Sequence, residues 1–286
     1  METNKKQALT YEVFRGEQAD FYANQTLIMG EKDAVLIDVP FTQSQAHRVV
    51  ASIIDLGKNL THIFVTHSHP DHYFSASVFL DAFPNAEFIA VPKVCHNVGM
   101  ISTGRTLVLS SALGMNGPKN VIIPKPYEKD YIDLEGHRLE ILGLNAGDHP
   151  DCSEIYIPSL DAIIAGDAVF NGFHLFMTHG KEEYRKEWKK TIEYFMTLKP
   201  QIVVAGHSAP GLSHGPESLD FVHDYLVAYE EVVSQNESSE DIIKAIKNRF
   251  PDVQELLNEF VITFTAKVAS GEMKPMLETN GMEAYL

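Results

Sequence analysis

Apolar and polar positions change period several times along the 286-residue chain, and each change marks an element. Residues 9–14 alternate with a period of two. Thr26-Leu27-Ile28-Met29 is set to pair with Ala34-Val35-Leu36-Ile37-Asp38 across Gly30-Glu31-Lys32-Asp33, which predicts a β-meander over residues 8–40. Over 44–56 the period becomes helical, and Gly57 suits the carboxyl cap. Ile63-Phe64-Val65-Thr66 reads as a buried strand, 74–83 as a helix and 87–91 as a further strand. Strands alternating with helices predict a layered α/β fold.

The alternation breaks over residues 92–120. That segment, bearing Met100 and Met115, is either a lid or pocket wall or a plain surface helix. Strands resume at 131–134 and 137–142 across Glu135-Gly136, and 154–157 and 162–165 flank a turn at Pro158-Ser159-Leu160-Asp161. A helix over 181–198 leads to a strand at 201–205. After Pro216 the pattern is helical: 218–233, a second helix opened by Ser238-Ser239-Glu240-Asp241, and a third over 253–268. No repeat, low-complexity run or linker interrupts the chain. The expected organisation is a domain over 1–216, with helices from 217–286 packed on it.

The strand that ends at Thr66 runs into His67-Ser68-His69-Pro70-Asp71-His72. Folding alone asks for no such density of imidazole and carboxylate, and the pairing suits zinc, iron or manganese. An extended His-x-His lets two rings grip one ion from the same side. Pro70 turns the chain, so Asp71 and His72 can face a second ion beside the first.

This hexapeptide resembles the HxHxDH signature of the metallo-β-lactamase-fold hydrolases. The later groups of that superfamily follow in order: His149 in Ala146-Gly147-Asp148-His149-Pro150-Asp151-Cys152-Ser153, Asp167 at the end of Ala162-Ile163-Ile164-Ala165-Gly166-Asp167, and His207 at the end of Ile202-Val203-Val204-Ala205-Gly206-His207. The resemblance implies a four-layer αββα metallo-β-lactamase fold with a carboxyl-terminal helical extension, in the glyoxalase II or lactonase-like branch. It implies one ion on His67, His69 and His149, a second on Asp71, His72 and His207, and Asp167 bridging both. The ions expected are two Zn2+, with iron or manganese as alternatives. A metal-bridging hydroxide would then attack a small carbonyl substrate (a lactone, ester, thioester or similar amide), with Asp71 as the catalytic proton carrier. Asp167 stands where zinc β-lactamases of the fold carry Cys or Ser, which favours this branch; β-lactam hydrolysis and a mononuclear iron sulfur dioxygenase are the alternatives. Phe173 and His174, shortly after Asp167, are the candidate substrate residues.

Charge narrows the partners. The formal net charge is -16, from 23 basic and 39 acidic residues, which argues against a phosphate backbone or an anionic membrane surface. Cys95 and Cys152 are too few for a disulfide framework, and Cys152 is expected to pack rather than ligate. Residues 1–7 lead into no apolar signal core, and no apolar run is long enough to span a bilayer. The expectation is a cytoplasmic enzyme acting on a small molecule, without nucleic-acid or membrane partners.

Overall fold

A computed structural model describes residues 8–276, apart from the side chains of 102–107. The absent signal core read from residues 1–7, and the last ten residues of the helical extension, lie outside the described residues. The first sheet carries six strands in sequence order: β1 (Thr10–Arg15), β2 (Asn24–Met29), β3 (Asp33–Ile37), β4 (Asn59–Phe64), β5 (Glu87–Ala90) and β6 (Lys125–Pro126). The first three run antiparallel, with Thr26 opposite Ile37 as the hairpin pattern predicts. From β3 onward the strands are parallel, because helices make the crossovers. These are α1 (Gln43–Asp55), α2 (Ala76–Ala82) and α3 (Pro92–Leu113).

The second sheet has the order β11-β10-β9-β8-β7, built from β7 (Tyr131–Leu134), β8 (His137–Ile141), β9 (Ile155–Ile157), β10 (Ala162–Asn171) and β11 (Ile202–Ser208). Its alternation shows what lies on each face. Ala162, Ile164 and Val204 join the core shared with the first sheet. Ile163, Ala165, Val203 and Ala205 join a second core with α4 (Glu182–Thr197) and α5 (Glu217–Gln235). A strand buried on both faces reads as a continuous apolar run, which is what 162–165 and 202–205 are. The layers are therefore helix, sheet, sheet, helix, as expected.

Helices α6 (Ser239–Arg249) and α7 (Phe260–Ser270) contribute Ile242, Ile246, Val261 and Ile262 to that second core. The hydroxyl of Ser238 caps α6 by accepting from the Asp241 backbone N–H, as its position suggested. The third helix starts later than its periodicity predicts, at 260 rather than 253. Leu257, Asn258 and Glu259 all take positive φ, so the chain makes a left-handed turn that no α-helix can continue. The segment 92–120 is mostly the 22-residue α3. No described helix is long and apolar enough to cross a membrane.

Candidate metal centre

Strand ends deliver the site. Just past β4, the extended chain carries His67 and His69 to the edge of the first sheet, and a single 3₁₀ turn, Pro70–His72, swings Asp71 and His72 back under it. From the second sheet, β10 brings Asp167 and β11 brings His207. These strands pair in parallel with register shifts between 164 and 166 and between 166 and 170, so β10 bends where its carboxylate must face inward. Two glycines make that approach possible. Gly166 takes φ of +47°, and a Cβ on Gly206 would lie 1.8 Å from the Asp167 Oδ1.

Potential ligand atoms converge in two groups: His67, His69, Asp148 and Asp167, and beside them Asp71, His72 and His207. Asp167 stands between the groups. Its Oδ2 is 3.6 Å from His67 Nε2 and 3.1 Å from His207 Nε2, and its Oδ1 is 3.2 Å from His72 Nε2. Asp71 Oδ2 lies 3.6 Å from His72 Nε2 and 3.4 Å from His207 Nε2. Six of the seven residues expected from the sequence are therefore brought together.

His149, expected on the first ion, is in neither group. Its Nε2 meets Ser68 Oγ at 3.2 Å, and its Nδ1 accepts the Asp151 backbone N–H at 3.1 Å. Successive residues of a tight turn point their side chains apart. Here Asp148 takes the inward direction, its Oδ2 2.9 Å from His69 Nδ1 and its Oδ1 3.7 Å from His67 Nε2.

A second layer aims the rings. Asp38, held at φ of 62° just after β3, accepts from the Thr66 backbone N–H and hydroxyl, each at 2.8 Å. Its Oδ2 also meets His72 Nδ1 at 2.8 Å, which turns Nε2 toward the cluster. His207 Nδ1 meets the Phe21 carbonyl at 2.7 Å, and Thr66 Oγ1 meets His67 Nδ1 at 3.0 Å. From α4, the Tyr184 hydroxyl and the Trp188 indole N–H donate to the carbonyls of Gly147 and Ala168, fixing the two segments that carry Asp148 and Asp167. The sequence gives little warning of Asp38; its one signal is a carboxylate at the end of a buried strand on the sheet edge that bears the hexapeptide.

Burial and mutual charge set the protonation states. Burial lowers His67, and the neighbouring His72 lowers it further. Burial also pulls on His72 and His207, but Asp167 outweighs it and raises both, with Asp38 adding to the effect at His72. Burial would raise Asp167, yet His207, His72 and His67 hold it well below the ordinary carboxylate range. Burial and then Asp167 push Asp148 well above that range. Among the buried polar atoms without a hydrogen bond are His67 Nε2, His72 Nε2, Asp148 Oδ1 and Asp167 Oδ1. Four such atoms aimed at one space are costly unless something binds there, and imidazole with carboxylate suits a divalent transition metal.

Above the cluster opens a cavity of about 530 Å³. Asp71, His69, Asp148, Asp167 and His207 form its floor, while Phe21, Phe41, Leu109, Phe170, Phe176, Leu256, Leu257, Phe260 and Val261 are among its wall residues. The Phe170 ring stacks on His207 with centroids 5.2 Å apart. The two candidate substrate residues, Phe173 and His174, are not among the residues that line the cavity. Phe173 is buried against Tyr22, ring centroids 5.4 Å apart, and His174 Nδ1 meets the buried Tyr225 hydroxyl at 2.8 Å. Both face the second core, because the chain past β10 turns them under the cavity rather than into it. Cys152 is buried too, its thiol donating to the His149 carbonyl at 3.2 Å, and it joins neither ligand group.

Known proteins agree with this architecture. A structure of a metallo-β-lactamase family protein from Thermus thermophilus superposes with a TM-score of 0.62 at 16% identity, covering 96% of this chain and 94% of that one. A β-lactamase domain protein from Burkholderia ambifaria gives 0.63 at 13% identity, covering 96% and 86%. The DIM-1 metallo-β-lactamase exposed to ceftazidime gives 0.55 at 15%, covering 78% and 94%. At these identities the likeness is one of fold. No curated protein sequence matches the chain. The sequence model of the metallo-β-lactamase superfamily, however, matches residues 19–207, a span that takes in the hexapeptide, Asp148, Asp167 and His207, and the chain belongs to that superfamily.

Proposed function

We propose that this chain is a binuclear metal-dependent hydrolase of a small, neutral carbonyl compound with a substantial apolar part. The observation that carries this reading is a buried His/Asp cluster forming the floor of an otherwise apolar cavity. One ion would take His67 and His69 with a group from the 147–150 turn, the other Asp71, His72 and His207, with Asp167 between them. Two divalent ions, when bound, supply an activated water and Lewis acidity toward a carbonyl oxygen. The chain's own residues supply the rest. Asp71 faces the cavity as well as the cluster, so its carboxylate is the group placed to hand a proton to the leaving atom. The Phe and Leu wall excludes water and holds the apolar part of the substrate over the floor.

No Lys or Arg is among the described residues that line the cavity. The wall therefore offers a substrate carboxylate or phosphate no cationic side chain, and the positive charge such a group would meet is that of the bound ions. An apolar wall without such side chains suits neutral esters, lactones and thioesters with an apolar part better than phosphodiesters or acidic β-lactams. A screen across these five classes, run on metal-loaded and chelated protein, tests the reading. Chelator-sensitive turnover of neutral carbonyl substrates is expected; turnover that survives full metal removal, or that is confined to phosphodiesters, would contradict it.

A further inference from the structure

We propose that Asp148, rather than the neighbouring His149, completes the first ion site, so that both ions have the same donors: two imidazoles and two carboxylates. The proposal rests on the binuclear reading and adds what the pair of sites would select. The first ion would have His67, His69, Asp148 and Asp167; the second would have His72, His207, Asp71 and Asp167. An imidazole in place of Asp148 would leave the sites unequal, with three nitrogens on one side and two on the other.

Three observations support the assignment independently of any ion. Asp148 is 2% exposed, and its Oδ1 makes no hydrogen bond although His67 Nε2 is only 3.7 Å away. Its backbone N–H donates to the Asp167 carbonyl at 3.0 Å, so the two carboxylate-bearing segments are fixed to each other before any ligand arrives. His149, by contrast, has both ring nitrogens engaged, on Ser68 Oγ and on the Asp151 N–H, although its ring centroid is 5.4 Å from that of His69, and its carbonyl accepts from the Gly147 N–H at 3.0 Å and from the Cys152 thiol. Turning the His149 ring toward an ion would give up its bonds to Ser68 Oγ and to the Asp151 N–H.

Chemistry follows from the donor count. Every nitrogen-and-oxygen site binds zinc more tightly than manganese, but replacing imidazole with carboxylate moves a site toward harder ions and narrows that gap. Three carboxylates also balance more of the charge of two dications than two would, which reduces the repulsion between ions lying side by side. The geometry thus points to a matched pair of sites, hospitable to Mn2+ or Fe2+ as well as Zn2+.

The test is titration of metal-free protein with Zn2+ and with Mn2+ separately, read by elemental analysis after desalting and by calorimetry. The wild type should bind two equivalents. Asp148→Asn should retain one, His149→Ala two, and Asp148→His should raise the zinc-to-manganese affinity ratio tenfold or more. Circular dichroism confirms that each variant is folded, and Asp148→Glu, which restores a carboxylate, should recover the second equivalent if Asp148→Asn is compromised. One equivalent in His149→Ala, or two in Asp148→Asn, would overturn the assignment. So would a zinc-to-manganese ratio unchanged by Asp148→His. None of these readouts involves turnover, so a failure to find a hydrolysed substrate leaves the result intact.

Discussion

The floor and the wall of the cavity are built in different ways. Floor residues come from buried strands, where they end or, at Asp167, bend, and from the turns beside them, and their rings are oriented by neighbours such as Asp38, the Phe21 carbonyl and Thr66. Most of the wall comes from helices and loops that are far apart in sequence, with Phe170 from β10. It includes Leu257 and Phe260, which are 38% and 39% exposed, and Leu257 sits in a run of three left-handed residues. A rigid floor fixes the chemistry, whereas a wall assembled from separate segments can vary without disturbing it. The contrast leads to predictions that should separate the two regions.

The largest effect is expected at the floor. Asp167→Asn keeps the shape of the side chain but removes the charge that stands between the ligand groups. Turnover should fall by roughly 1,000-fold or more, since a shared ligand matters more than an outer partner, whose loss typically costs 10–100-fold. One metal equivalent should go with it. Full turnover with two ions retained would show that the carboxylate does not link the groups.

The next effect lies in the β9 approach to the floor. Glu154 is buried, and burial raises its carboxyl to about 8, with Asn145 Nδ2 donating to Oε2 at 2.7 Å. A folded state that holds the proton more tightly than the unfolded chain, whose carboxyl titrates near 4.5, is fully stable below that pH. It loses stability as pH rises toward about 8. Glu154→Gln should remove this loss, raising stability at pH 8 by about 2–4 kcal/mol and hardly at all at pH 4.5. Denaturant melts at both pH values check this; an equal change at both would place the effect in packing rather than ionisation.

Asp38→Asn should have a smaller effect of the same kind as Asp167→Asn. The amide can still accept from Thr66, but it no longer charges the bond that orients His72. Affinity for the second ion should fall about 10–100-fold, with the first little changed. Equal weakening of both ions would mean that Asp38 supports the fold around the site rather than one ring.

The mildest variant belongs to the wall. Phe260→Ala should raise KM about 3–10-fold for substrates with long apolar parts, which corresponds to about 1 kcal/mol of lost contact at a half-exposed ring. Short substrates and metal content should be unaffected. A loss of kcat for all substrates alike would make Phe260 part of the floor's support.

The two regions also differ in how far the sequence reveals them. The hexapeptide, Asp167 and His207 follow apolar runs, so local pattern places them at strand ends, and most elements lie within a few residues of their periodicity. Asp148 and His149 are adjacent in one turn, and local pattern does not say which side chain faces inward; that depends on hydrogen bonds to Ser68, Asp151 and Asp167. The wall was legible only in part. Phe170, Phe173 and Phe176 all follow Asp167 closely, yet Phe170 and Phe176 line the cavity while Phe173 packs on Tyr22. Phe21 and Phe41 join the wall through long-range packing, their rings 5.1 Å apart beside the buried pair of Asp20 and Thr42.

The most direct test of the central claim is a crystal of the native protein measured at the absorption edges of zinc, iron and manganese. The account predicts two anomalous peaks per chain on the cavity floor. One should lie within coordination distance of His67, His69 and Asp148, the other within that distance of Asp71, His72 and His207, with Asp167 reaching both. A single peak on either group that persists after soaking in excess metal, or two peaks without Asp167 between them, would contradict it.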